Sequence, residues 1–292
     1  MSKLMDKLRT NTTIKAAQLL KDSDFMNHEM VPTDIPAVNI ALSGTICGGL
    51  TSGLTTIAGP SKHFKTAFGL LMMKAYLQSK PNAIALFYDS EFGTPQKYFE
   101  TFDIDMSRVL HSPIMDVEQL KIDIVKQLDE LEKEDEVYIF VDSIGNLASH
   151  KEVQDALDGK MVGDMTRAKS IKSLFRAVTP YLKSKNIPMV VVNHTYDSQE
   201  MFSKPVVSGG TGIYYSSDTI WIVGRRQQKE GTDVTGYQFV INVEKSRYVK
   251  EKSKIPVSVS FDGGIDKWSG LLDMALDAGV ISRTGAWYQL TD

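Results

Sequence analysis

The run Gly59-Pro60-Ser61-Lys62-His63-Phe64-Lys65-Thr66 joins a strand-like apolar segment, Leu54–Ala58, to a helical pattern over Thr66–Gln78. A phosphate needs backbone N–H groups converging at a helix N-terminus, where the peptide dipoles also favour an anion. In such a loop Lys65 would reach the β- and γ-phosphates and the Thr66 hydroxyl would ligate Mg²⁺, as in a P-loop. One position departs from that pattern: Phe64 stands where a glycine is expected. The N–H survives the exchange, so phosphate binding persists if residue 64 is already helical. Read alone, the segment also fits a plain strand–helix turn.

Two further strand ends carry carboxylates. Val137-Tyr138-Ile139-Phe140-Val141-Asp142 is an apolar run ending in an acid, the arrangement in which a carboxylate meets the hydration shell of Mg²⁺. An aspartate that caps a strand is the plainer alternative. Ala83–Tyr88 runs into Asp89-Ser90-Glu91, and a glutamate leaving a strand beside phosphates can polarise an attacking water. Ligands of open α/β sheets sit outside the carboxyl ends of the strands. Three polar strand ends meeting there point to a nucleotide site.

The elements that must position these residues alternate along the chain. Leu54–Ala58, Ala83–Tyr88, Val137–Val141 and Met189–Val192 are short apolar runs, as expected of strands covered on both faces. Helical patterns over Thr66–Gln78, Val117–Leu131 and Met161–Val178 lie between them. This predicts an α/β fold with a mostly parallel central sheet. After Ser216, the runs Thr219–Val223, Tyr237–Val243 and Val257–Phe261 leave no room for long helices and predict antiparallel strands at one sheet edge. Residues 1–30 read as a small helical segment, Val31–Pro36 as a linker, and Ser269–Ala278 as a last short helix.

The chain has 292 residues, 42% of them hydrophobic and 24% charged, with a formal net charge of −3. That balance does not announce a nucleic-acid binder, but charge is sorted along the chain. Arg167 to Lys185 holds six basic residues and no acid; Lys245 to Lys254 holds five against Glu251 alone. Lys169, Lys172 and Arg176 form a basic row on one helical face, either a phosphate-contacting surface or a solvated one. Met161, Met165, Ala168, Ile171, Phe175 and Val178 form an apolar stripe that reads as core. A single cysteine, Cys47, excludes an internal disulfide and fits a reducing cytosol. No apolar run approaches a membrane span, and the N-terminus lacks a signal-peptide pattern.

In order along the chain, several segments resemble RecA-superfamily recombinases. They are Asn39–Leu42, Gly59–Thr66, Phe87–Gly93, Val141–Ser143, Asp164–Lys169, Val192–His194, Glu244–Arg247 and Phe261–Asp266. The likeness spans nearly the whole chain and is strongest to the UvsX-like branch found in T-even-type phages, where the same phenylalanine replaces the P-loop glycine. Members of that branch usually continue beyond the point where this chain stops. The resemblance implies a RecA-type P-loop ATPase core over 31–292, a subunit contact from 1–30, and ATP with Mg²⁺ as cofactors. Gly59 to Thr66 would hold the phosphates, Tyr98 would stack on adenine, and Thr66 and Asp142 would serve the metal. Glu91 would be the general base. His194, where the family has glutamine, would sense the γ-phosphate, so its donor role depends on tautomer and pH.

The family's two DNA-binding loops map to His150–Gly163 and Thr195–Ser208. Arg167, Lys169, Lys172 and Lys204 would meet DNA phosphates. Met201 and Phe202 are candidate wedges between bases, although a loop phenylalanine also tucks readily onto its own domain. Lys245 and Arg247, alternating on a predicted strand, would reach the ATP of a neighbouring subunit. The implied protein is a strand-exchange recombinase in the cytoplasm of a bacterial host. It would form helical filaments on single-stranded DNA, pair them with homologous duplex, and work with a recombination mediator and a single-strand-binding protein. A hexameric RecA-fold helicase shares the same site, and a non-hydrolysing paralogue would share the fold without needing Glu91.

Overall fold

The computed structural model describes residues 3–26, 29–160, 166–197 and 205–291. The chain begins with α1 (Lys3–Asn11) and reaches α2 (Pro36–Ser43) through two single 3₁₀ turns. It then alternates β1 (Gly53–Ala58), α3 (Lys65–Ser79), β2 (Ile84–Asp89), α4 (Gln96–Thr101), β3 (Val109–Pro113), α5 (Val117–Glu130) and β4 (Val137–Asp142). Two helices, α6 (His150–Leu157) and α7 (Thr166–Ser184), precede β5 (Pro188–Asn193). A short ribbon follows, β6 (Thr195–Asp197) with β7 (Pro205–Val207), then α8 (Thr211–Ser216). The remainder is β8 (Thr219–Glu230), β9 (Asp233–Lys245), β10 (Lys254–Ser260), β11 (Gly264–Ile265), α9 (Leu271–Asp277) and the hairpin β12 (Ile281–Thr284) with β13 (Trp287–Leu290).

Nine strands form one sheet in the order β11-β10-β9-β8-β1-β5-β4-β2-β3. From β8 through β1 to β3 every pairing is parallel; β8-β9, β9-β10 and β10-β11 are antiparallel. Along β4, Tyr138 and Phe140 enter the core beneath α3, while Ile139 and Val141 enter the core beneath α5 and α7. That alternation, with both faces covered, is why β4 reads as an unbroken apolar run. Gly69 of α3 lets the helix lie flat on the sheet, since a Cβ there would come within 2.2 Å of the Phe140 ring.

The structure departs from the expected segments in instructive places. In the expected N-terminal helical segment, α1 stops at Asn11, and none of its residues is buried. The expected linker is an ordered turn: Asn39 accepts from the Thr33 N–H at 2.7 Å and donates back to the Thr33 carbonyl at 3.0 Å. Pro36 then starts α2, where its missing N–H costs nothing. β3 is exposed along one edge and lacks an apolar run. β8 runs seven residues past Val223 through Gly224–Glu230, a mostly exposed polar stretch, so apolar patterning could not reveal it.

Candidate functional site

The loop after β1 is held in shape by contacts far away in sequence. Phe64 caps α3 at φ 61°, ψ 16°, so the condition of a helical residue 64 is not met: it is left-handed. That conformation costs a non-glycine residue roughly 1–2 kcal/mol. Its ring stacks on Phe239 of β9, with centroids 4.7 Å apart, and meets Phe68 edge-on at 5.4 Å. Such aromatic pairs contribute about 0.5–1.5 kcal/mol each beyond burial, enough to offset the strain. The Lys62 carbonyl, at a second left-handed residue, accepts from Arg225 of β8 at 3.1 Å. Lys65 follows, buried, with Nζ donating to the Pro60 carbonyl at 2.7 Å. Burial pulls its ammonium below the ordinary lysine value, while the charges of Asp142 and Glu91 pull back.

Opposite the loop stand the ends of β2, β4 and β5. Thr66 Oγ1 donates to Asp142 Oδ2 at 2.7 Å. Burial pushes the Asp142 carboxyl up to about 6, the Thr66 hydrogen bond lowers it, and the charges of Glu91 and Asp89 raise it further. Asp89 Oδ1 accepts from the N–H groups of Glu91 and Phe92, at 3.0 and 2.8 Å, which turns the chain so that Glu91 leaves β2 toward the cleft. Glu91 Oε1 accepts from Ser143 Oγ at 2.7 Å and Asn146 Nδ2 at 3.1 Å, and lies 3.1 Å from His194 Nε2. Burial works against the Glu91 charge, but the hydrogen bonds from Ser143 and His194 and the charges of His194 and Lys65 hold its carboxyl below the usual range.

Lys65, Thr66, Glu91, Tyr98, Asp142 and His194 all line one cleft of about 340 Å³. A nucleoside triphosphate with Mg²⁺ fits this set of side chains. The ammonium and the α3 N-terminus suit phosphate, and the touching Thr66 hydroxyl and Asp142 carboxylate are hard oxygen donors. A cation beside them would relieve the cost of keeping Asp142 charged in a buried position. Among the described residues no three His, Cys, Asp or Glu side chains converge as a metal cage. Mg²⁺ sites built on one or two carboxylates plus phosphates need none.

The residues expected to meet DNA fare differently. Lys169, Lys172 and Arg176 lie exposed along α7. Arg167 is instead engaged with its own chain: its guanidinium donates to the carbonyls of Leu147, Gly145 and Ile144 at 2.6, 2.7 and 3.0 Å. The expected first DNA loop, His150–Gly163, is helical over α6, begun by a capping box between Ser149 and Glu152. Met201, Phe202 and Lys204 lie outside the described residues. Lys245 is the last residue of β9 and donates to the Tyr214 carbonyl at 2.8 Å. Arg247 lies beyond the strand, so the two basic residues do not alternate on it, and Arg247 Nε donates to Asp218. Asp218 is buried and also pairs with Lys183 at 2.8 Å. Sequence reading did not anticipate Ser143, Asn146, Asp218, Arg225 or Phe239. Only the polar Ser143 directly after Asp142 offered a local signal.

Comparison with known proteins agrees with this architecture. The RecA N-terminal domain family matches residues 3–266. The chain is 56% identical over 290 residues to the recombination and repair protein of Enterobacteria phage T4, covering 99% of this chain and 74% of that one. It is 25% identical over 292 residues to Protein RecA of Bacteroides thetaiotaomicron, covering 99% and 86%. It is 26% identical over 268 residues to the mitochondrial DNA repair protein recA homolog of Dictyostelium discoideum, covering 90% and 57%. With a P-loop-like turn, three polar strand ends in one cleft and a family match over most of its length, the chain belongs to the RecA family of recombinases.

Proposed function

We propose that this protein is a DNA-dependent ATPase that assembles on single-stranded DNA as a helical filament and exchanges strands with homologous duplex. The observation that carries the reading is the meeting of Lys65, Thr66, Asp142, Glu91 and His194 in one cleft at the carboxyl ends of β1, β2, β4 and β5. Lys65 and the N–H groups of residues 61–66 would hold the triphosphate, and Thr66 with Asp142 would hold Mg²⁺, which supplies charge neutralisation when bound. Glu91, kept ionised by its donors, would orient and deprotonate water for attack on the γ-phosphate. His194 touches that carboxylate, and its backbone continues into the β6–β7 ribbon through the Ser208 N–H to His194 carbonyl bond at 3.0 Å. It would therefore couple the state of the nucleotide to the second DNA-binding segment.

Tyr98, half-buried on α4 and lining the same cleft, would stack on adenine. Lys169 and Lys172 would meet DNA phosphates in a sequence-tolerant, salt-sensitive way. The exposed Leu4, Met5 and Leu8 of α1 support a contact between that helix and a neighbouring copy, with 31–292 as the ATPase core. No helix among the described residues is long and apolar enough to cross a membrane. A host-cytoplasmic site of action and cooperation with a phage mediator and a single-strand-binding protein complete the proposal.

The test is Mg²⁺-dependent ATP turnover with and without single-stranded DNA. Turnover should rise with DNA and vanish in a folded Lys65→Ala variant, because phosphate contacts of this kind contribute several kcal/mol in the transition state. Wild-type turnover by Lys65→Ala would remove the P-loop assignment.

A further inference from the structure

The five residues that follow Asp142 form a strut between two parts of the molecule. On one side, Ser143 Oγ and Asn146 Nδ2 donate to Glu91 Oε1. Gly145 lies against His194, since a Cβ there would come within 2.5 Å of imidazole Cδ2 and 2.9 Å of the His194 backbone nitrogen. On the other side, the Arg167 guanidinium donates to the carbonyls of Ile144, Gly145 and Leu147. The Ile144 N–H is tied to the Val192 carbonyl at 3.0 Å, which anchors the start of the strut to β5. Its far end, where Asn146 stands, is gripped by Arg167, and the chain is tied again just beyond it by the Val117 N–H to Ala148 carbonyl bond at 3.0 Å. Three carbonyls gripped by one planar fork is a task that an ammonium on a flexible stem performs poorly.

We propose that Arg167 is a positioning residue for Glu91: by gripping residues 144–147 it holds the strut from which Ser143 and Asn146 orient the carboxylate. The inference rests on Glu91 being the general base. The Arg167 guanidinium bonds to the carbonyls of Ile144, Gly145 and Leu147, not to the loop of residues 59–66 or to Asp142. Its loss should therefore leave nucleotide binding in place and reduce the rate at which bound ATP is hydrolysed.

The experiment is steady-state ATP hydrolysis, at saturating single-stranded DNA and without DNA, for Arg167→Ala, Arg167→Lys, Asn146→Ala, Glu91→Gln and their combinations. Arg167→Ala should lower kcat roughly tenfold to a hundredfold in both conditions, the range expected for lost hydrogen bonds to a charged group. KM for ATP should stay near wild type, and Arg167→Lys should fall between. Because Asn146 acts through the same strut, Arg167→Ala with Asn146→Ala should be no slower than Arg167→Ala alone. In the Glu91→Gln background, Arg167→Ala should change nothing further. If Arg167→Ala does not fold, Arg167→Lys and Asn146→Ala, alone and combined, carry the same comparison. A variant that needs more DNA but reaches wild-type kcat would overturn the proposal and return Arg167 to a phosphate contact. Losses at Arg167 and Asn146 that multiply in full would overturn it as well. Normal turnover by Glu91→Gln is a different failure: the base assignment falls, and the positioning role with it.

Discussion

Asp142 shows how a single side chain can serve function at a cost to folding. The residue is 4% exposed and its carboxyl pKa is pushed up to about 6, against an ordinary 3.8. A group whose folded-state value is raised binds protons more tightly when folded, so it favours the fold at low pH. That contribution is lost as pH rises from about 4 to about 6, and at neutral pH the buried charge opposes folding. The amide of an Asp142→Asn variant would carry no such charge while still accepting from Thr66. In buffer without metal or nucleotide, Asp142→Asn should therefore melt above wild type at pH 7.5, with the gap closing toward pH 4. Adding ATP and Mg²⁺ should raise the melting temperature of wild type more than that of the variant, which keeps Lys65 and the loop but lacks the charged metal ligand. Thermal melts across that range check both halves; a variant less stable than wild type at pH 7.5 would count against the burial argument. The place of Asp142 at a strand end was legible in the sequence because an acid ends an apolar run. Its titration was not, because that depends first on how deeply the fold buries the carboxyl and then on Glu91 and Asp89 being brought beside it by a neighbouring strand.

Between elements, the most consequential contact joins the loop after β1 to β9 across 175 residues of sequence, Phe64 on Phe239. No local pattern can report such a pair. A phenylalanine where glycine is expected looked from sequence like a weakened motif, whereas in the structure its ring anchors the loop. The elements themselves were legible in proportion to their burial. β1, β4 and β5 are buried at every position and showed as apolar runs, while the edge strand β3 and the projecting half of β8 did not. Substitution at residue 64 separates strain from anchoring. Phe64→Gly removes the left-handed penalty together with the ring contacts, whereas Phe64→Ala keeps the penalty and loses the contacts. The expected stability order is wild type, then glycine, then alanine, with alanine lower than wild type by roughly 1–3 kcal/mol, less than for a fully buried phenylalanine. Both variants should bind ATP more weakly than wild type, since the loop is no longer held against β9. Denaturant melts and ATP titrations check the order; alanine above glycine would remove the strain argument.

For the whole molecule, the basic residues at the end of β9 connect the fold to its assembly. Arg247 is exposed over most of its side chain yet paired with the buried Asp218, and Lys245 rests on the Tyr214 carbonyl. Burial and the charge of Arg247 pull the Lys245 ammonium below its ordinary value, as suits a cation waiting for an anion. If both reach a neighbour's triphosphate in the filament, they act as fingers in trans. Lys245→Ala and Lys65→Ala subunits should each hydrolyse poorly alone and recover part of the activity when mixed, at interfaces that join an intact loop to an intact finger. Full activity of Lys245→Ala with DNA would exclude that role. The claim at the centre of this account is strand exchange driven from the cleft that holds Lys65 and Glu91. It is tested most directly by incubating the protein with circular single-stranded DNA, homologous linear duplex, ATP and Mg²⁺, and following joint molecules and displaced strand on a gel. Wild type should convert the pair to exchanged products in an ATP-dependent way, and Lys65→Ala should form none. Unwinding of the duplex without pairing to the homologous single strand would contradict the account.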